Sequence, residues 1–273
     1  MQFVIFDRSI FHGNKFSRLA QSNILNHIRE NKIRVYYTPG FIEETLQFGL
    51  NHRDEFKKQF IFLLKCNPYF WFRSADQIVE AELGLKYSHP LYYLWKDEEI
   101  SSLIGGIQYY LIGRYKEIEL QGIIEKTGQY RLSREKYREE ILNARKSIIF
   151  DDPDFNSHFE KHCEWFIENV FMKHYPDSTD YLMRWKSSRE FCIFTENILR
   201  CWIATAYLPI ENHSLQVHIN DIIDAFQLAY LSYVDIVVSD DTRFMKDAFN
   251  ILFKNNGKQL FTLSEFLEFQ NHL

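Results

Sequence analysis

Short apolar runs alternate with helical patterns over residues 1–50 of the chain. The first run, residues 2–6, predicts a strand buried on both faces and ends at Asp7. Apolar side chains at helical spacing predict a helix over 15–31, the run 33–38 predicts a second strand, and 41–49 predicts another helix. This order of elements is typical of the start of a parallel α/β sheet with right-handed crossovers.

The middle of the chain, residues 51–218, has helical periodicity over most of its length. Predicted helices cover residues 51–66, 75–84, 132–147, 154–174 and 178–207. Residues 104–124 fit a helix or a hairpin equally well, and both alternatives stay open. No repeat of fixed period is visible, so a solenoid is not indicated.

The α/β pattern returns near the end of the chain. Residues 220–233 predict a helix, 235–239 a buried strand, 242–253 a helix and 259–263 a last strand, with Ser264 as the cap of a short terminal helix. We therefore predict an α/β fold, a parallel sheet flanked by helices. Blocks 1–50 and 219–273 would form it together, interrupted by a large, mainly α-helical insertion over 51–218.

Charge and cysteine content narrow the setting. The 32 basic and 37 acidic residues give a net charge of −5, which argues against a uniformly basic nucleic-acid binder but leaves a local basic groove open. The four cysteines form no CxxC pair, and no leader-like segment opens the chain, so we expect a reduced, cytoplasmic protein. No uncharged apolar run approaches the roughly 20 residues that cross a bilayer, so no membrane partner is expected.

Carboxylates follow the predicted strands or begin the helix 220–233. Parallel strands end at one edge of a sheet, which brings such residues to one crevice. A single acid at such a position is commonly a cap or turn residue. The combination, on both sides of the middle segment, favours a site for a hard divalent cation such as Mg²⁺ or Mn²⁺. The acids are Asp7, Glu43, Glu44, Asp221, Asp224, Asp240 and Asp241.

Five short segments resemble a known family. Residues 3–9, 41–46, 224–229 and 236–244 read FVIFDRS, FIEETL, DAFQLA and IVVSDDTRF, and are similar in order and context to the acidic motifs of PIN-domain ribonucleases. Residues 260–267, LFTLSEFL, resemble the last strand and helix of that family. The resemblance implies a PIN-like sheet in the two terminal blocks.

The resemblance also implies a site. Its metal-binding, catalytic acids would be Asp7, Glu44, Asp224 and Asp241, with Asp221 and Asp240 as outer or alternative ligands and Ser9 and Ser239 in support. Glu43 and Glu44 are adjacent and cannot both face the crevice, and the register favours Glu44. Arg8 replaces the small polar residue usual after the first Asp, and either contacts phosphate or points outward.

The function implied by the resemblance is a divalent-metal-dependent endoribonuclease that uses Mg²⁺ or Mn²⁺. RNA is the expected substrate, DNA is less expected, and a toxin or defence effector is the setting suggested by analogy. The helical insertion would act as a lid, a substrate clamp or the docking surface of a protein regulator. The alternative is a catalytically inactive PIN-like module that binds RNA or a protein partner through its helical part.

Overall fold

The computed structural model describes residues 1–83, 91–127, 181–188, 192–211, 219–241 and 244–273, together with Phe159, Cys163 and Ile167. Four parallel strands form one sheet in the order β2-β1-β3-β4. The predicted α/β class, a parallel sheet flanked by helices, is confirmed. The strands are β1 Gln2–Phe6, β2 Ile33–Tyr36, β3 Ile236–Val238 and β4 Gln259–Phe261.

Helices surround this sheet. None in the described ranges combines the length and apolarity needed to cross a membrane. In chain order they are α1 Asn14–Gln21, α2 Ile24–Arg29, α3 Pro39–Asn51, α4 Arg53–Cys66, α5 Ala75–Glu82, α6 Asp97–Leu111, α7 Glu117–Thr127, α8 Tyr181–Ser188, α9 Ile193–Glu211, α10 Ile219–Ala229, α11 Phe244–Leu252 and α12 Leu263–Gln270.

Both faces of the sheet are buried because side chains alternate along each strand. Ile5 of β1 lies opposite Tyr36 of β2 and Val237 of β3, and all three belong to one apolar core. We call this side the α9 face, since α5 and α8–α11 contribute to it. Neighbours such as Val4 and Ile236 point to the opposite side, the α3 face, which α1–α4, α6, α7 and α12 cover.

Helices of the middle segment complete both cores. Phe56 of α4 and Ile107 of α6 pack in the core of the α3 face, while Ile78 of α5 and Phe194 of α9 pack in that of the α9 face. For residues 104–124 the sequence left a helix and a hairpin open, and the structure has helix, since α6 and α7 cover most of that stretch. The predicted helix 132–147 and most of 154–174 lie outside the described residues, and the division into terminal blocks and insertion stays a prediction.

Two predicted helices are each broken in the structure. The helix predicted over 15–31 is two helices, because the Ser22 hydroxyl donates to the Leu19 carbonyl (2.7 Å) and accepts from the Ile24 N–H (3.4 Å), capping both ends of the break. The helix predicted over 178–207 is replaced by two helices, α8 and α9. The second of them, α9, begins after Cys192.

The cap predicted for the terminal helix is also wrong. Thr262, not Ser264, is the N-cap of α12: its hydroxyl accepts from the Glu265 N–H, and the Glu265 carboxylate accepts from the Thr262 N–H. This reciprocal pair is a capping box. Ser264 lies inside the first turn, where its hydroxyl accepts from Arg18 (3.2 Å).

The connections of the sheet open a crevice between its two central strands. The chain passes from β1 to β2 through α1 and α2 on the α3 face, and from β3 to β4 through α11 on the α9 face. It therefore leaves the neighbouring strands β1 and β3 toward opposite faces. Ligands of open α/β sheets bind at such a switch point, outside the carboxyl ends of the strands.

Candidate active site at the carboxyl edge of the sheet

A cavity of about 490 Å³ lies at this switch point, and we call it the edge cavity. All four predicted acids, Asp7, Glu44, Asp224 and Asp241, line it. They come from the end of β1, from α3, from α10 and from the loop after β3. The other lining residues are Arg8, Ser9 and His12 after β1, and Gln47, Phe48, Asn51 and His52 around the end of α3.

Asp7 is held in one orientation by hydrogen bonds. It is buried, and its Oδ2 accepts from the Ser9 N–H (3.0 Å) and from the Ser239 hydroxyl (2.9 Å). Its Oδ1 accepts from the Gln227 side-chain amide (3.3 Å). The first bond makes Asp7 the N-cap of a short 3₁₀ helix, Arg8–Phe11. The carboxylate is thus oriented without any ligand.

Two serines join the loops after β1 and β3. The Ser239 hydroxyl donates to Asp7 and accepts from the Asp241 N–H (3.0 Å), while the Ser9 hydroxyl accepts from the Asp240 N–H (3.0 Å). The two hydroxyl oxygens are 3.4 Å apart. Ser9 and Ser239 therefore position the backbone that carries the acids on both strands.

The first turns of α3 separate its two neighbouring glutamates. Thr38 caps the helix by accepting from the Phe41 N–H (3.2 Å), which fixes the phase of the residues that follow. Glu43 is fully buried and accepts from the Gln47 amide (3.0 Å), whereas Glu44 lines the edge cavity. Consecutive helical residues point about 100° apart, so only one of the two can face the cavity.

The two outer acids of the prediction have different positions. Asp240 forms an ion pair with Lys15 (2.8 Å) and accepts from the Leu263 N–H (2.9 Å), which directs its carboxylate toward α1 and α12. Burial is the largest single influence and raises the pKa of Asp240. The hydrogen bonds from Lys15 and Leu263 and the charges of Lys15 and Arg18 together outweigh it and keep the pKa below its ordinary value. Asp221 lies in α10, and its side chain is outside the described part of the structure.

Arg8 points into the edge cavity, so the alternative that it points outward is wrong. It is only 5% exposed, and its guanidinium carbon lies 4.6 Å from the centre of the Phe48 ring and 5.7 Å from that of Phe11. Burial lowers the pKa of Arg8 to about 10, against the raising effect of Glu44 and Asp7. The guanidinium is therefore still a cation at neutral pH.

The wall formed by the end of α3 was not predicted from the sequence. The Phe48 ring stacks on His52 (4.6 Å) and meets His12 edge-on (6.2 Å). Burial first, then the charge of Arg8, lowers the pKa of His12. Helical spacing could have found part of this wall, since Phe48 and His52 follow Glu44 at intervals of four residues. Gln227 follows Asp224 by three residues on α10 and was missed in the same way.

The chemistry of the lining residues fits a hard divalent cation. Four carboxylates face a single guanidinium, and carboxylate oxygens are the ligands that Mg²⁺ and Mn²⁺ prefer. The Oε1 of Gln227, beside Asp7, is buried and has no hydrogen-bond partner among the described residues, so an acceptor is also available there. Within the same residues, no three Asp, Glu, His or Cys side chains already form a ligand set, so binding would have to draw the carboxylates together.

Comparisons of the chain with protein-family models, with curated proteins and with solved structures gave no match. The resemblance to PIN-domain ribonucleases therefore rests on the five sequence segments given above, and what it implies is carried forward as a proposal.

Proposed function

We propose that the chain is a divalent-metal-dependent nuclease that hydrolyses phosphodiester bonds, with RNA as the substrate, in the edge cavity. One observation carries this proposal: four acids on four separate elements, spread from Asp7 to Asp241 in the sequence, line one cavity at the switch point of a parallel sheet. Such a set of oxygens is suited to metal-assisted hydrolysis, which needs no covalent nucleophile.

Each acid has a distinct contribution. Asp7 enters the cavity already oriented by Ser9, Ser239 and Gln227. Asp241 is kept beside it because its N–H donates to the same Ser239 hydroxyl. Glu44 and Asp224 approach from α3 and α10, on opposite faces of the sheet. When bound there, Mg²⁺ or Mn²⁺ would lower the pKa of a water molecule and stabilise negative charge on the phosphate.

Cleavage of labelled single-stranded RNA in Mn²⁺ or Mg²⁺ tests the proposal, with DNA of the same sequence as a second substrate. We expect the wild type to cut RNA. Asp7→Asn and Asp241→Asn should each lower the rate by more than about 100-fold, because even the outer partners of metal ligands are worth 10- to 100-fold. Asp97→Asn, the same change at an exposed position at the start of α6, should leave the rate unchanged.

The same assay separates the alternatives. A wild type that binds RNA but cuts neither substrate in either metal would favour the non-catalytic module. If Asp240→Asn abolishes cleavage and Asp241→Asn does not, Asp240 replaces Asp241 as the catalytic acid after β3. A toxin or defence setting and a regulator bound to the helical segment stay predictions.

A further inference from the structure

Arg8 is a buried cation that the described part of the protein leaves without a hydrogen bond. All three of its guanidinium nitrogens are buried and unpartnered within the described residues. Arg8 is only 5% exposed, and it lines the edge cavity. The protein therefore keeps a full set of unused donors buried in the wall of the cavity that the four acids line.

Such an arrangement is costly unless a ligand completes it. A buried charge without hydrogen bonds loses its hydration and receives no replacement, which is among the more expensive features of a folded protein. The contact with the face of Phe48 (4.6 Å) offsets part of this cost, because an aromatic face attracts a cation, but it satisfies no N–H group. Buried groups left unsatisfied in this way are expected at functional sites.

The shape of the guanidinium indicates the missing ligand. Its N–H donors form a rigid planar fork that matches two oxygens of a phosphate or a carboxylate. Glu44 and Asp7 are near enough to influence its pKa, yet neither makes a hydrogen bond to it. The rings of Phe48 and Phe11 pack against the guanidinium and hold it in place. The donors are thus already oriented, but neighbouring atoms cover them, so an incoming anion would have to displace that cover to reach them.

We infer that Arg8 binds a non-bridging oxygen of the substrate phosphate and so positions the phosphate against the acids of the edge cavity. This inference rests on the proposed function for the identity of the substrate. It adds a contact that does not need metal: the cavity should bind a phosphate group even when divalent cations are removed. The four acids alone would repel such a group.

Binding in EDTA tests the inference apart from catalysis. The probes are inorganic phosphate and a short labelled single-stranded RNA, and they distinguish free phosphate from phosphate within a nucleic acid. We expect wild type to bind the RNA, and Arg8→Met to weaken this binding by about 10- to 100-fold, the loss of one charge-assisted, forked contact. Arg8→Lys, which keeps the charge but not the fork, should lie between. Arg29→Met, an exposed arginine of α2, should bind as the wild type does.

A second readout separates binding from a merely structural role. Arg8→Met should not lower the thermal unfolding midpoint by more than about 3 °C, because no hydrogen bond is lost and a buried charge without partners is removed. If wild type cuts RNA in Mn²⁺, kcat/KM of Arg8→Met should fall in proportion to its RNA affinity, while the Mn²⁺ concentration for half-maximal rate should not rise, because the change removes a positive charge near Asp7 and Glu44.

The possible results divide clearly. Equal RNA binding by wild type and Arg8→Met, or an unfolding midpoint lowered by many degrees, would overturn the role of Arg8 even if the protein is a nuclease. Tight, Arg8-dependent binding in EDTA without any cleavage would support Arg8 and count against the nuclease. Binding of inorganic phosphate but not of RNA would overturn the assignment to a nucleic-acid phosphate.

Discussion

Two regions of the molecule each combine a buried arginine with a hydrogen-bonded acid, and they differ in the partners of the arginine. The edge cavity contains Arg8 and Asp7. The second region, which we call the α5 joint, lies around helix α5. It contains Arg73, two residues before the helix, Glu82, the last residue of the helix, and the groups that hydrogen-bond to these two side chains. Arg8 and Arg73 are almost equally buried, at 5% and 6% exposure. Burial alone therefore does not separate a structural arginine from one that is available to a ligand.

Arg73 has the partners that Arg8 lacks. Its Nε donates to the Leu94 carbonyl (2.9 Å), its Nη2 donates to Glu99 (3.2 Å), and its own carbonyl accepts from the Tyr230 hydroxyl (2.8 Å). These contacts tie the segment before α5 to the neighbouring loop and to the helical turn after α10. The charge of Arg73 is thus used to hold the fold together.

Glu82 is satisfied as completely. Its carboxylate accepts from the N–H groups of Phe194 (3.0 Å) and Thr195 (2.7 Å) and from the hydroxyl of Tyr233 (3.2 Å). It therefore caps the first turn of α9 from another helix. In the edge cavity, by contrast, the three guanidinium nitrogens of Arg8 have no hydrogen-bond partner in the described part of the chain. Unpartnered buried atoms also occur among the described residues away from the cavity, at His27 and Gln270 for example, so they do not mark a site by themselves. The difference teaches that an unpartnered buried cation in a cavity lined by four acids is what distinguishes Arg8 from Arg73.

The largest expected effect on stability is at Arg73. Arg73→Met should lower the free energy of unfolding by about 3 kcal/mol, because it leaves the buried Leu94 carbonyl without the Arg73 donor and removes one of the two donors to Glu99. Urea denaturation followed by circular dichroism measures this. A loss under about 1 kcal/mol, no larger than that of Arg8→Met, would remove the distinction between the two regions.

Mn²⁺ should stabilise the protein through binding in the edge cavity and not at the α5 joint. At a Mn²⁺ concentration about 100 times its dissociation constant, wild type should gain about 2.7 kcal/mol in its free energy of unfolding. Asp241→Asn should gain much less, whereas Glu82→Gln should respond as wild type does, since Glu82 lies in the α5 joint. Thermal unfolding with and without Mn²⁺ measures these gains. An equal gain in Asp241→Asn would place the metal elsewhere.

Glu82→Gln should lower the free energy of unfolding by about 2 kcal/mol at pH 7. The NH2 group of the glutamine would face N–H or O–H donors and leave at least one of them unsatisfied. The cost should depend on pH. Burial raises the pKa of Glu82 above its ordinary value of 4.5, despite the hydrogen bonds from Thr195 and Phe194. The native state then binds more protons than the unfolded state above pH 4.5, so the advantage of wild type should shrink as the pH rises from that value. Denaturation from pH 4 to 7 checks the sign, and an advantage that grows with pH would contradict it.

The smallest expected effect on stability is at Arg8. Arg8→Met should lower the free energy of unfolding by no more than about 1 kcal/mol, because the apolar side chain still packs against Phe48 and no hydrogen bond is broken. Denaturation beside Arg73→Met, under the same conditions, gives the comparison. A loss equal to that of Arg73→Met would show that Arg8 is structural.

Much of the fold and of the candidate site was predictable because both depend on local patterns. Alternation and apolar runs located all four strands, and helical spacing located the helices that flank them. The order of the acids after the strand ends, read with the parallel topology, was enough to bring Asp7 and Asp241 to one edge. The errors arose at the ends of helices: two come from local side-chain caps, at Ser22 and Thr262, and one from a cap supplied by a distant residue. That one is the start of α9, capped by Glu82 from 113 residues away in the sequence.

The sequence by itself determined a parallel α/β sheet with acids beyond its strands, since the period of side chains along a strand or helix is set by backbone geometry. Only the tertiary structure decided which neighbour faces the cavity: Glu44 while Glu43 is buried, and Asp241 while Asp240 pairs with Lys15. It also decided that Arg8 points inward, onto Phe48. The physical reason is that these outcomes depend on partners distant in the chain, whose packing and hydrogen bonds exist only once both faces of the sheet are covered.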